Sequence, residues 1–177
     1  MIKIQLVDDE ANILSALKRL LRPQGWEIHG FTDVEEALGS LREHNYAVII
    51  SDYQMPTADG VTYLQFAKQR QPDAVRLVLS AHGDRNSMIK AINQAEVYRF
   101  LSKPWDEHEI VAAIKSAIDL HLLRAENRHL LKQVQHQQTL IRAREQELLR
   151  LEQENPGITR VMRDDDGSVL LDDDEPR

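Results

Sequence analysis

The sequence predicts an α/β fold built on a doubly wound, five-stranded parallel sheet, and two observations carry that prediction. Short apolar runs recur along the first hundred or so residues, and helical patterns fill the gaps between them. The runs are IKIQLV (2–7), WEIHGF (26–31), YAVIIS (46–51), AVRLVLS (74–80) and VYRFL (97–101). Helical patterns lie at about 10–22, 33–43, 59–70 and 84–94. Such alternation favours a parallel sheet covered on both faces. A third observation separates this region from the rest. After Lys103-Pro104 neither Gly nor Pro occurs until Pro156-Gly157, so a helix starting near Asp106 can run some 50 residues, or about 75 Å.

Bulk properties narrow the function classes. With 42% hydrophobic and 29% charged residues, the 177-residue chain can bury a core and hold one ordinary domain plus an appendage. Cysteine is absent, which excludes a disulfide framework, a thiolate zinc site and a cysteine nucleophile, and fits a reducing, cytoplasmic setting. The N-terminal MIKIQLVDDE reaches acidic residues too early for a signal peptide. No apolar run approaches the roughly 18 residues of a membrane span. The formal net charge is -7, but residues 152–177 carry three basic and nine acidic groups, so the remainder stands at -1. Without a basic face the chain is not expected to bind nucleic acid.

In open α/β sheets, ligands bind outside the carboxyl ends of the strands. The residues there are Asp8, Asp9, Asp52, Ser80 and Lys103. Singly, each has an ordinary explanation as a helix cap, a turn or a surface loop. Together, three carboxylates, a hydroxyl and an ammonium at one sheet edge are not explained by capping, which calls for no lysine.

The segments VDDE (7–10), SDYQMPTADG (51–60), LSAHG (79–83) and FLSKPW (100–105) resemble the response-regulator receiver family over residues 1 to about 120. The resemblance implies a flavodoxin-like strand order of 2-1-3-4-5 and a cis bond at Lys103-Pro104. It also implies phosphorylation of Asp52, and Mg2+ (or Mn2+) held by Asp8, Asp9, Asp52 and the backbone carbonyl of Gln54. Lys103 and Ser80 would stabilise the phosphoryl group, and Ser80 with Phe100 would form the switch. Gln54 and His82 would flank the path of the hydrolysing water and set the lifetime of the phosphorylated form. The electrostatic logic is general: a carboxylate attacking a phosphoryl group meets like charge, so cations must lie between them. A hydroxyl that contacts the phosphoryl group only once it is present shifts a conformational equilibrium.

The long helix predicts a stalk. A heptad register places Leu120, Asn127, Val134, Ile141 and Leu148 at a, with Leu123, Leu130, Gln137, Arg144 and Leu151 at d. Seven of these ten positions are apolar, a seam that one exposed helix cannot satisfy, and Asn127 at a favours a parallel homodimer; a single amphipathic helix folded back on the receiver or held for a partner is the rival reading. Gln137, Arg144 and a Glu147–Glu152 encounter weaken the second half. His129 and His136 fall on the outward face one heptad apart, a solvated surface rather than a metal site. The expected division is a receiver over 1–120, a coiled-coil stalk over 121–155 and an acidic tail over 156–177. The tail reads as disordered, with a small hairpin about Asp166-Gly167 as the rival.

The functional expectation is a non-enzymatic response regulator, apart from slow phosphoaspartate autohydrolysis. A histidine kinase phosphorylates it, and it signals by contact with an effector protein not identifiable from the sequence. Two alternatives stand beside it. One is the regulatory front of a longer signalling enzyme such as a cyclic dinucleotide phosphodiesterase, because EVYRFLSKPW is similar to receivers that precede HD-type domains. The other is a phosphorelay intermediate.

Overall fold

Residues 1–56, 59–81 and 94–157 are described in this computed structural model. Five strands, β1 (Lys3–Val7), β2 (Glu27–Phe31), β3 (Val48–Asp52), β4 (Val75–Ser80) and β5 (Arg99–Ser102), pair in parallel in the order β2-β1-β3-β4-β5. The strands begin one or two residues inside the predicted runs. Tyr46 and Ala47, for example, are buried but precede the β3 ladder.

Helices α1 (Ala11–Leu21), α2 (Val34–Glu43) and α3 (Gly60–Arg70) match three of the helical patterns. The fourth pattern, at 84–94, lies outside the described residues except for its last position, as do His82 and the tail from 158 onward. Local chemistry sets the helix starts. The Asp33 carboxylate accepts from the backbone N–H groups of Glu35 and Glu36 at 2.8 and 3.0 Å, and those two glutamates complement the positive end of α2. Asp59 caps α3 by accepting from the Val61 N–H at 3.0 Å. After α1, Pro23 closes the helix, and Gly25 adopts φ 74°, a left-handed turn that redirects the chain into β2.

Alternation along the strands distributes the core to two faces. Ile4 and Leu6 of β1 join Leu14, Leu17 and Leu21 of α1 on one side. On the other, Val7 joins Ala37 and Leu41 of α2 and Val61 and Leu64 of α3.

The long helix, Glu107–Glu154, starts where the Asp106 carboxylate accepts from the Glu109 N–H at 2.9 Å. Ile110, Ala113, Ile114, Ala117 and Ile118 recur at 3-4 spacing and bury against the first core. The chain divides into two compact units, Met1–Asn127 and Arg128–Arg177. In the second, Leu130, Val134, Ile141 and Leu148 of the expected seam are exposed, and Leu151 is half-buried; in the first, Leu123 is exposed and Leu120 packs half-buried on the core.

His121 fastens the helix within the first unit, its Nδ1–H donating to the Asp73 carbonyl at 2.9 Å. Burial, with a smaller push from Arg124, holds its pKa below the ordinary histidine value. A histidine with a depressed folded pKa adds stability that is present above its unfolded value of about 6.5 and lost as pH falls through the folded one. Replacing it as His121→Gln keeps a donor without a titration. Urea unfolding at pH 7.5 and at acid pH is therefore expected to show wild type losing more stability than the variant; parallel losses would contradict the assignment.

Candidate functional site

All five strands run in the same direction, so their carboxyl ends bring together residues far apart in sequence. β1 ends at Asp8 and Asp9, β3 ends on Asp52, β4 ends on Ser80, and Lys103 follows β5. Backbone bonds lock these ends. The Asp8 N–H donates to the Phe31 carbonyl at 3.1 Å, the Tyr53 N–H to the Leu79 carbonyl at 2.8 Å, and the Lys103 N–H to the Ser80 carbonyl at 2.8 Å. The Lys103-Pro104 bond is cis, as the resemblance implied.

Carboxylate oxygens of Asp8, Asp9 and Asp52 lie within 4.8 Å of one another. Asp8 and Asp52 are buried and Asp9 is exposed, so the cluster is open on one side. The Lys103 ammonium reaches between the two buried acids, 2.7 Å from Asp8 Oδ2 and 2.9 Å from Asp52 Oδ1. Glu10 lies at the outer rim, 3.9 Å from the same nitrogen. Both Asp8 oxygens are engaged: Oδ1 accepts from the Glu10 N–H at 3.0 Å, and buried Oδ2 faces the Lys103 ammonium.

Electrostatics follow from this arrangement. Burial pushes the Asp52 carboxyl above the ordinary range, against the opposing pull of Lys103. Burial alone would lower the Lys103 ammonium, but the adjoining Asp8 and Asp52 carboxylates outweigh it and hold the lysine above its usual value. Three acids against one ammonium leave the cluster net negative. Oxygen-only donors of this kind suit a hard divalent ion such as Mg2+.

Beside the cluster opens a cleft of about 560 Å³ lined by Asp9, Tyr53, Gln54, Met55, Pro56 and Asp59. Gln54 pairs with Asp59 in an isolated antiparallel bridge that closes the loop between β3 and α3. Ser80 is buried at the end of β4, and Phe100 is half-buried on β5, packed on the second core. Sequence reasoning did not single out Asp59 and Gly60. The Asp-Gly pair opening α3 was the available signal, since a capping acid followed by glycine marks a helix start against a tight neighbour.

Fold and site together define a doubly wound α/β module with an acid cluster and a lysine at the carboxyl edge of its sheet. Residues 4–115 match the response regulator receiver domain, and the chain belongs to that family. It is similar to the hydrogenase transcriptional regulatory protein HoxA of Bradyrhizobium diazoefficiens, 32% identical over 126 residues, or 70% of this chain and 25% of that protein. Likewise it is 33% identical over 115 residues to the DNA-binding transcriptional regulator NtrC of Salmonella typhimurium, covering 65% of this chain and 24% of that protein. The chain thus spans about a quarter of the length of these curated relatives. Among solved structures, the signal receiver domain of an HD domain-containing protein from Pseudomonas fluorescens aligns with TM-score 0.68 and 35% identity, covering 71% of this chain and 92% of that one. The beryllofluoride-activated NtrC4 receiver domain dimer aligns with TM-score 0.65 and 33% identity, covering 68% and 99% respectively.

One contact makes a direct prediction. A Cβ built on Gly60 would stand 1.8 Å from the Asp52 carbonyl oxygen, a backbone atom that cannot swing aside. Gly60→Ala must therefore displace either α3 or the end of β3, at a cost of about 1–3 kcal/mol or more. Chemical denaturation measures this, and a variant as stable as wild type would show that the approach is not tight.

Proposed function

We propose that this chain is a phospho-acceptor response regulator in which Asp52 takes a phosphoryl group from the phosphohistidine of a histidine kinase. The observation that carries the reading is the Lys103 ammonium held between Asp8 and Asp52, with exposed Asp9 at the open side of the acid cluster. Asp52 supplies the attacking oxygen: its bond to phosphorus forms as the phosphorus–nitrogen bond of the donor breaks, and the imidazole leaves with a proton from solvent. Asp8, Asp9, Asp52 and the Gln54 carbonyl would hold Mg2+ (or Mn2+). Bound there, the ion neutralises charge on the phosphoryl oxygens. Lys103 steadies the product from the other side, and the Ser80 hydroxyl makes the contact that differs between the two states, with Phe100 following it. Gln54 and His82, the latter outside the described residues, tune how long the acyl phosphate lasts. The chain has no other catalytic task in this reading.

The proposed layout is a receiver over 1–120, a stalk over 121–155 and a tail over 156–177. The stalk pairs as a parallel homodimer through Leu120, Leu123, Asn127, Leu130, Val134, Ile141, Leu148 and Leu151. Support comes from the exposure of Leu123, Leu130, Val134, Ile141 and Leu148 on the long helix, an apolar stripe that water does not favour. Output passes through protein contact in a cytoplasmic setting. A second reading, the regulatory front of a longer signalling protein, is favoured by the likeness to the receiver of an HD domain-containing protein and by the quarter-length coverage of the relatives. Intact mass of the native protein separates the two.

Two outcomes are expected. A small phosphodonor with Mg2+ places a base-labile phosphate on wild type but not on Asp52→Asn, read by intact mass; labelling of the variant at wild-type level would remove the acceptor assignment. Mg2+ at a hundredfold excess over its dissociation constant stabilises wild type by about 2.7 kcal/mol. Without metal, Asp52→Asn is expected to melt above wild type at neutral pH, because burial disfavours the native carboxylate. The raised Asp52 pKa means that this advantage shrinks as pH falls through it and the wild-type acid takes up its proton.

A further inference from the structure

Between β1 and the α2–α3 layer lies a polar network that the phosphoryl site does not use. Gln5 is fully buried in the middle of β1, three residues before Asp8, on the face where the alternation calls for an apolar side chain. Its amide nitrogen donates to the Ala37 carbonyl at 2.9 Å and to Ser40 Oγ at 2.7 Å, both on α2. Its amide oxygen accepts from the Tyr63 hydroxyl of α3. Ser40 Oγ also accepts from the Tyr46 hydroxyl at 3.1 Å and donates to the Ala37 carbonyl at 2.9 Å. Every polar atom of the Gln5 side chain is thereby engaged, and Tyr63 is as deeply buried as Gln5.

Such a network is unnecessary for folding alone, since an apolar pair of the same shape would fill the space at little cost. Its position suggests what else it does. Tyr63 sits one turn into α3, and α3 starts at Gly60, whose N–H donates to the Tyr53 carbonyl at 3.0 Å and whose Cα lies against the Asp52 carbonyl. Gln5 belongs to the strand that ends at Asp8 and Asp9. The Gln5–Tyr63 bond therefore joins the strand carrying two of the acids to the helix that abuts the third. A hydrogen bond is directional where apolar packing is not, so it fixes the axial position of α3 along β1.

We propose that Gln5 and Tyr63 are positioning residues for the acid cluster: their buried hydrogen bond sets the seat of α3 and, through Gly60, the placement of Asp52 and of the loop bearing Gln54. This rests on reading Asp52 as the phosphoryl acceptor. Loss of either partner leaves a buried polar group unsatisfied and destabilises the fold, whereas loss of both removes that penalty but not the need for directional seating.

The test compares Tyr63→Phe, Gln5→Leu and the double variant with wild type. The double variant is expected to regain most of the thermal midpoint lost by the singles. Even so, its Gly60 amide should exchange with solvent about tenfold faster than in wild type, and the lifetime of the Asp52 phosphate after a small phosphodonor should change by a similar factor. If the double variant stays destabilised, Leu17→Ala, which opens the opposite core, serves as a control. Matched in midpoint, it should leave Gly60 exchange closer to wild type than the double variant does. Wild-type exchange at Gly60 in the double variant overturns the proposal, as does faster exchange with an unchanged phosphate lifetime. Failure of wild type to take phosphate at all would instead strike the acceptor reading, a separate result visible before any variant is made.

Discussion

One ammonium between two buried carboxylates is the interaction on which the rest of this structure turns. Asp8 and Asp52 end adjacent strands and point into the same small space, where their mutual repulsion would be costly without a cation. Lys103 supplies one at 2.7 and 2.9 Å, and it can do so because the backbone after β5 is tied to the end of β4 by the Lys103 N–H and Ser80 carbonyl. The demand reaches back through the topology. Only parallel strands bring all their carboxyl ends to one edge, and the order β2-β1-β3-β4-β5 sets β1 and β3 side by side with β4 and β5 close enough to deliver the lysine.

The lysine satisfies the cluster incompletely, and that matters chemically. Asp52 remains above its ordinary pKa despite the ammonium, and three carboxyl groups share that one cation. A site fully neutralised by its own residues would attract a divalent cation less strongly. Here the acid cluster faces an open cleft beside Asp9, so the same imbalance that costs stability in the bare protein favours entry of a cation.

Much of this was legible in the sequence, and the limits are informative. The strands fell within the apolar runs because parallel strands buried on both faces read as nearly continuous hydrophobic segments. Asp8, Asp9, Asp52, Ser80 and Lys103 stood out as a set, because caps and turns do not call for a lysine among acids at one sheet edge. Gln5 and Arg76 did not stand out. Both interrupt a strand with a polar side chain, and a one-dimensional pattern cannot show that Gln5 meets Tyr63 or that Arg76 donates to the Ala74 and Ala95 carbonyls, each at 2.7 Å. These partners are brought together by tertiary packing, and for Gln5 and Tyr63 they lie 58 residues apart. Gly60 was legible only in part: the Asp-Gly pair marks a helix start, but the need to lack a side chain comes from the Asp52 carbonyl, not from its own backbone angle.

The long helix obeys two different sets of forces along its length. Its first turns are held by the receiver, with Ile110, Ile114 and Ile118 in the core and His121 bonded to the Asp73 carbonyl. Beyond Asn127 the described apolar side chains face outward, apart from half-buried Leu151, and local pairs such as Arg150 with Glu147 and Glu154 lie along the helix. Such pairs contribute a few tenths of a kcal/mol each, and helices draw most of their stability from packing an amphipathic face. A helix that carries a stripe of leucine, valine and isoleucine over this distance is therefore built to be covered. The heptad spacing of the stripe matches a second helix of the same kind better than the flat surface of a globular partner, which is the physical ground for the proposed pairing of the stalk with its own copy.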